Sequence, residues 1–215
     1  MNVMPAPPAA ALAGDSNTYI QYKRDDRNYL TQLFGAQLPG IRTGFFNVHM
    51  SRGMTVQPHW HPNASEMVFV IGGELMTSVF DPFAQRLLAY RLCPGQVCLF
   101  PRGWFHWIVA LSEEAHFLTV FDVPTPDIVY GSDFLKAIPP KVMSQAYGVD
   151  PGLYTQAVAP IRESEILGPP SGRLVTGTQG GGGAAQLKQP GSGKKGAASG
   201  SPQNIMHLHA CPFPS

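Results

Sequence analysis

Between residues 45 and 123, apolar runs of five to eight residues alternate with residues that favour tight turns. The runs fall at 45–50, 54–61, 66–71, 74–80, 87–92, 96–100, 105–111 and 116–123. Ser51-Arg52-Gly53, Pro62-Asn63, Gly72-Gly73, Asp81-Pro82, Pro94-Gly95, Arg102-Gly103 and Ser112-Glu113-Glu114 separate them. Glycine reaches positive φ without strain, proline presets φ, and Asp, Asn and Ser bond their own backbone, so each cluster turns the chain. The runs are too short for stable helices and about the right length for strands. Eight short strands, roughly 8–12 residues apart, imply an all-β domain closed as a barrel or a double-sheet sandwich. The 23 Gly and 21 Pro of the 215-residue chain support this, because so many helix breakers argue against a bundle.

After residue 123 the pattern changes. Ser132 is placed to cap a helix over 133–138, Pro139-Pro140 break it, and a second helix is expected over 141–147, stopped by Gly148. Residues 1–15 are rich in Pro and Ala and are expected to be unordered. Residues 171–215 form a low-complexity tail, with Gly180 to Gly183 in a row. One domain, residues 16–170, lies between them. The tail has no Asp or Glu but carries Arg173, Lys188, Lys194 and Lys195; with a net charge of +1, the first 170 residues carry −3. A slightly acidic body without a concentrated basic face argues against a nucleic-acid partner. No stretch of about 18 apolar residues offers a membrane span. The N-terminal segment lacks the basic start of a signal peptide and is interrupted by Pro5, Pro7 and Pro8, so a cytoplasmic location is expected. Cys93 and Cys98 flank the Pro94-Gly95 turn, where a disulfide can form, but two buried free thiols are the expected state.

One segment carries the chemistry. His59 and His61 are two apart on a strand, so both rings project from one face. Glu66 opens the next strand and shares a side with Val68 and Val70; His106 comes on a later strand. A lone strand histidine is ordinarily a hydrogen-bonded core or surface residue. Two at this spacing, with a carboxylate just beyond, would cost several kcal/mol to bury unpaired, for the ion alone. A cation among them removes that cost, so His59, His61, Glu66 and His106 read as metal ligands.

The spacing of these residues resembles the cupin family. Its first motif, G(X)5HXH(X)3–4E(X)6G, is met by Gly53, His59, His61, Glu66 and Gly73. Its second, G(X)5PXG(X)2H(X)3N, is met by Gly95, Pro101, Gly103 and His106, with Ala110 in place of the Asn. Segments 117–122 and 131–135 are similar to those that come after each barrel in the germin-type oxalate decarboxylases. The resemblance implies a double-stranded β-helix, or jelly-roll barrel, with its core at about 45–123 and short C-terminal helices at 131–148. It also implies that three imidazoles and one carboxylate hold one divalent transition metal, manganese first, with iron or another metal as the alternatives. Open positions would remain for a small carboxylate such as oxalate, which in that family loses CO2 with O2 as cofactor. The chain departs from the family twice. The substrate-clamping arginine lies three positions before the first metal histidine, where Val56 stands, and the loop that supplies the acid/base glutamate corresponds to 123–130, which has none. Asp127 is the one carboxylate there and the catalytic candidate. Without a guanidinium and a positioned base, oxalate turnover is expected to be slow or absent. A non-catalytic metal-binding protein and a metal-dependent isomerase therefore stand beside the enzyme reading.

Other groups are read more plainly. His49 and His116 are expected to be structural. His207, His209 and Cys211 repeat a ligand-like spacing in the tail but lack a scaffold. Trp104, Phe105 and Trp107 are expected to wall the site. Met67, Phe69 and Ile71 make the outward face of their strand apolar too, which calls for cover and predicts a homodimer.

Overall fold

Alternation of buried and more exposed residues, clearest over Phe45–Met50, Glu66–Gly72, His106–Ala110 and Ala115–Phe121, assembles the chain into two facing sheets. The computed structural model describes residues 12–170 and the strand at 205–207. In chain order the strands are β1 (Ile20–Lys23), β2 (Tyr29–Leu33), β3 (Phe45–Met50), β4 (Thr55–Trp60), β5 (Glu66–Gly72), β6 (Leu75–Asp81), β7 (Arg86–Leu92), β8 (Val97–Phe100), β9 (His106–Ala110) and β10 (Ala115–Phe121). Then come β11 (Val129–Tyr130), the helices α1 (Gly131–Ala137), α2 (Pro140–Tyr147) and α3 (Pro151–Val158), and the short strands β12 (Leu167–Gly168) and β13 (Ile205–His207). One sheet runs β1-β2-β3-β10-β5-β8 and the other β11-β4-β9-β6-β7-β13, with β12 beside β4. From β3 to β10 the chain crosses repeatedly between sheets, so strands distant in sequence become neighbours. This is the jelly-roll arrangement expected for the eight runs.

Phe46, Val48 and Met50 of β3, Val68 and Val70 of β5, Ile108 of β9, and Phe117 and Phe121 of β10 point inward and form the core between the sheets. At Gly73 the turn after β5 requires φ +75°, and an added Cβ would collide with the Glu114 main-chain oxygen and Ser112 Oγ. Only glycine permits that close approach.

Several local expectations are corrected. Tyr130, not Ser132, stands at the N-cap of α1, because the Ser132 hydroxyl donates to Gln57 Oε1 at 2.8 Å and meets Ser164 Oγ at 2.6 Å. Pro140 opens α2 instead of acting as a breaker, since the first helical position has no N–H to satisfy. Gly148 ends α2 at φ 68°, as expected. The helix α3 and strands β1 and β2 are not among the elements expected from the sequence; Asp150 caps α3, its carboxylate accepting from Leu153 N at 2.8 Å, and Pro151 opens the helix. The two-thiol expectation fails at Cys93, which is disulfide-bonded, while Cys98 is a buried free thiol. Cys98 does not pair with it because its side chain faces inward from β8, opposite Val68 and within hydrogen-bonding reach of Thr77. Residues 1–11, 171–204 and 208–215 lie outside the described residues, as do most of the tail expectations and His209 and Cys211. Among the described residues no helix is long and apolar enough to cross a membrane.

Candidate metal centre

A bulge in β4 decides which way the histidines face. Val56 and His59 are three residues apart, so regular alternation would put them on opposite faces. Across the ladder Val56 pairs with Ile108 and His59 with His106, three residues against two, and the extra residue falls at Gln57–Pro58. A bulge rephases the strand, and proline, lacking an N–H, is tolerated there. Val56, His59 and His61 are therefore all buried, and His59 lies directly opposite His106. Glu66 enters from the other sheet, at the start of β5, in register with Phe100 and Phe121.

The four predicted residues come together. One donor atom from each of His59, His61, Glu66 and His106 lies within 4.8 Å of every other, and each residue is at most 3% exposed. Glu66 Oε2 is 2.9 Å from His61 Nε2, 3.1 Å from His106 Nε2 and 3.9 Å from His59 Nε2. The Nε2 atoms of His59 and His61 are 3.2 Å apart.

The opposite edge of each ring is held by the main chain. His59 Nδ1 donates to the Gln57 carbonyl at 2.7 Å, His61 Nδ1 to Asp127 at 2.8 Å, and His106 Nδ1 to Trp104 at 2.8 Å. A ring whose only proton is the one held on Nδ1 turns its Nε2 lone pair toward this common point, which is how protein carbonyls prepare imidazoles as ligands once a metal replaces any Nε2 proton. The Phe100 ring stacks on His106 at 4.1 Å and 17°, and Phe121 meets His61 edge-on at 4.9 Å. Three oriented nitrogens and one carboxylate oxygen suit a divalent transition metal.

Burial dominates the electrostatics. Burial, with His106 close by, pushes the His59 imidazole down to about 3. Burial opposes ionisation of Glu66, but the hydrogen bonds from His106 and His61 overrule it and hold the carboxyl well below its usual range. Burial likewise opposes charge on His61, and its hydrogen bond to Glu66 raises it on balance. Without a metal, the buried carboxylate is satisfied by protons on neighbouring Nε2 atoms, and a cation can take the place of those protons.

A cavity of about 20 Å3 adjoins His59, His61 and Glu66, and its other walls include Val56, Phe121, Ile128 and Ile166. Asp127 contributes to the site through its carbonyl; the residue itself is exposed, and its N–H donates to Asn63 Oδ1 at 2.8 Å. Trp104, Phe105 and Trp107 are not among the residues that line the cavity. Phe105 lines an outer groove with Trp60, and Trp107 projects outward between the inward-facing His106 and Ile108. Phe121 lines the cavity and Phe100 backs His106, an arrangement that sequence order hides because both lie on the opposite sheet from His106. The carbonyls of Gln57 and Trp104 each come two residues before a ligand, a signal the sequence does carry. His49 and His116 stay apart from the centre: they stack on each other at 4.1 Å, and His49 stacks on Tyr29 at 4.7 Å, as structural residues of the sheet exterior.

Comparisons with known proteins agree with this geometry. Germin-like protein 1-4 of Oryza sativa subsp. japonica is 31% identical over 134 residues, covering 54% of this chain and 56% of that protein. Oxalate oxidase 1 of Hordeum vulgare is 30% identical over 138 residues, covering 58% of this chain and 67% of that protein. The matched stretch thus spans little more than half the length of the first of these relatives. Among solved structures, oxalate oxidase in complex with the substrate analogue glycolate superposes with a TM-score of 0.61 at 24% identity, over 70% of this chain and 81% of that one. A mutant of Bacillus subtilis oxalate decarboxylase superposes with a TM-score of 0.60 at 25% identity, over 66% of this chain and 38% of that one. Residues 25–152 match the cupin family, and with the jelly-roll sheets and the clustered His-His-Glu-His set they establish that the chain belongs to it.

Proposed function

We propose that His59, His61, Glu66 and His106 bind one divalent transition-metal ion, manganese before iron, and that the loaded centre acts on a small oxygen-rich carboxylate of the oxalate type. The observation that carries this reading is the convergence of four buried donor atoms within 4.8 Å. A divalent ion facing one carboxylate and three neutral imidazoles leaves a single uncompensated positive charge in an apolar hollow, which favours an anionic ligand. The metal, when bound, supplies Lewis acidity and open coordination positions. The chain's own residues orient it: three carbonyls fix the imidazoles, Phe100 and Phe121 hold the rings, and the apolar walls limit water.

A second reading, metal binding without turnover, is favoured by the cavity itself. Val56 lines it where the family resemblance calls for a clamping arginine, and among the described residues its lining includes no arginine or lysine. The isomerase alternative differs from both in tolerating zinc, because polarising a carbonyl needs no redox metal. We further infer a homodimer through the outer face of β5 and β8, where Met67, Phe69, Ile71, Val97 and Leu99 are exposed side by side, with Met67 opposite Leu99 and Phe69 opposite Val97.

Elemental analysis of the purified protein against His59→Ala and His106→Ala, paired with an assay of oxalate consumption, tests the proposal. Near-stoichiometric metal in the wild type alone is expected; equal content in all three would defeat the site assignment. Metal without oxalate consumption selects the non-catalytic reading.

A further inference from the structure

On β10 the inward side chains are Ala115, Phe117, Thr119 and Phe121. Three are apolar and belong to the core. Thr119 is not, yet it is only 4% exposed and its Oγ1 has no hydrogen-bond partner. A hydroxyl buried without a partner is destabilising, so its retention in a core calls for a reason. Valine has nearly the same shape and would fill the place without that cost.

The position of Thr119 supplies the reason. It lines the same cavity of about 20 Å3 as His59, His61 and Glu66, and apart from those ligands every other lining side chain is Leu, Val, Ile or Phe. Thr119 pairs with Val68 while Glu66 pairs with Phe121, so Thr119 and Glu66 are diagonal neighbours on one face of the sheet. Diagonal neighbours lie roughly 7–8 Å apart, and Thr119 Oγ1 makes no hydrogen bond to the Glu66 carboxylate, which leaves a place for one oxygen atom between them. The cavity volume matches about one such molecule.

We propose that Thr119 is a positioning residue for the exogenous ligand of the metal centre. Its hydroxyl donates a hydrogen bond to an oxygen, from water or from a carboxylate, held on the side of the centre that faces the cavity. The inference rests on the metal-binding reading above and deepens it. It assigns oxygen-donor selectivity to a residue outside the four ligands and outside both sequence motifs. A thiolate or an apolar ligand would leave the hydroxyl unpaired; an oxygen anion satisfies it.

The test uses the full chain loaded with Mn(II). Wild type, Thr119→Val, Thr119→Ala and Thr119→Ser are compared by metal content, by Mn(II) electron paramagnetic resonance with and without 17O-labelled water, and by oxalate titration. Thr119→Val and Thr119→Ala are expected to keep full metal content but to show a changed zero-field splitting and about ten-fold weaker oxalate binding. Thr119→Ser, which keeps the hydroxyl, should resemble the wild type. If Thr119→Val and Thr119→Ala match the wild type in spectrum and in oxalate affinity, the positioning role is overturned, even where their melting temperatures differ. If the wild type takes up no metal, the metal-binding reading itself fails, which is a distinct result.

Discussion

Replacing Glu66 with glutamine separates what the carboxylate does for the fold from what it does for the metal. In the metal-free protein, Oε2 accepts hydrogen bonds at 2.9 Å from His61 and 3.1 Å from His106 while only 2% of the residue is exposed. Hydrogen bonds to a charged group contribute about 1.5–3 kcal/mol each. Against that stands the cost of burying the ion, again several kcal/mol. The two nearly offset, so Glu66→Gln should change metal-free stability by no more than about 2 kcal/mol. The metal-loaded state has no such offset, because the amide keeps an oxygen but loses the negative charge. Ligand at about 100 times Kd stabilises the wild type by about 2.7 kcal/mol. At about 2–4 °C per kcal/mol, that is a rise in Tm of roughly 5–11 °C. If the substitution weakens binding by about 100-fold, the same metal concentration contributes only about 0.4 kcal/mol, under about 2 °C. Calorimetry of both proteins with and without MnCl2 reads the difference directly. A Glu66→Gln protein with the wild-type shift would refute the assignment of the carboxylate as a ligand.

Other expectations rest on single features. Gly73→Ala must hold φ +75° and push against Glu114 and Ser112, so its urea midpoint should drop by an amount equivalent to more than the about 1–2 kcal/mol of left-handed strain alone; an unchanged midpoint contradicts the contact geometry. The pH dependence of metal-free stability has a definite sign. His59 at about 3 instead of 6.5, and Glu66 held below 4.5, mean that the unfolded chain binds more protons on acidification; their contribution is complete above about pH 6.5 and is lost as pH falls toward the folded values. His61, raised, acts oppositely, with its contribution present below 6.5 and fading as pH climbs through its folded value. His61 acts above about pH 6.5 and Glu66 only below about pH 4.5, so His59 sets the slope between them: denaturant midpoints should decline from about pH 6.5 to about pH 4, and a rising profile would show that the cluster is not buried as described. Met67→Glu combined with Phe69→Glu should turn the inferred homodimer into a monomer without loss of bound metal; sedimentation of the wild type as a monomer removes the interface.

Much of the site was legible before any fold was known. The turn residues mark all eight core strands, and the spacing of His59, His61, Glu66 and His106 singles out the ligands, because period-two alternation and turn chemistry are local properties of the chain. The helices were legible only in part. Gly148 announces the end of α2, but Ser132 was misleading as a cap, since its hydroxyl is claimed by Gln57, a residue 75 positions away. The strands β1 and β2 carry Gln21, Lys23, Thr31 and Gln32 among their apolar residues and lack the dense turn punctuation that marks the others.

Three dimensions were needed for everything that depends on register between distant strands. The bulge at Gln57–Pro58, which swings Val56 into the same hollow as His59, is visible only from the pairing of β4 with β9. The sandwiching of Glu66 between His61 and His106, the stack of Phe100 on His106 and the orphan hydroxyl of Thr119 beside them arise between sheets, across sequence separations of up to dozens of residues. Local propensity chooses strand or turn for each residue, whereas the packing of two sheets against one core decides which side chains share a point in space.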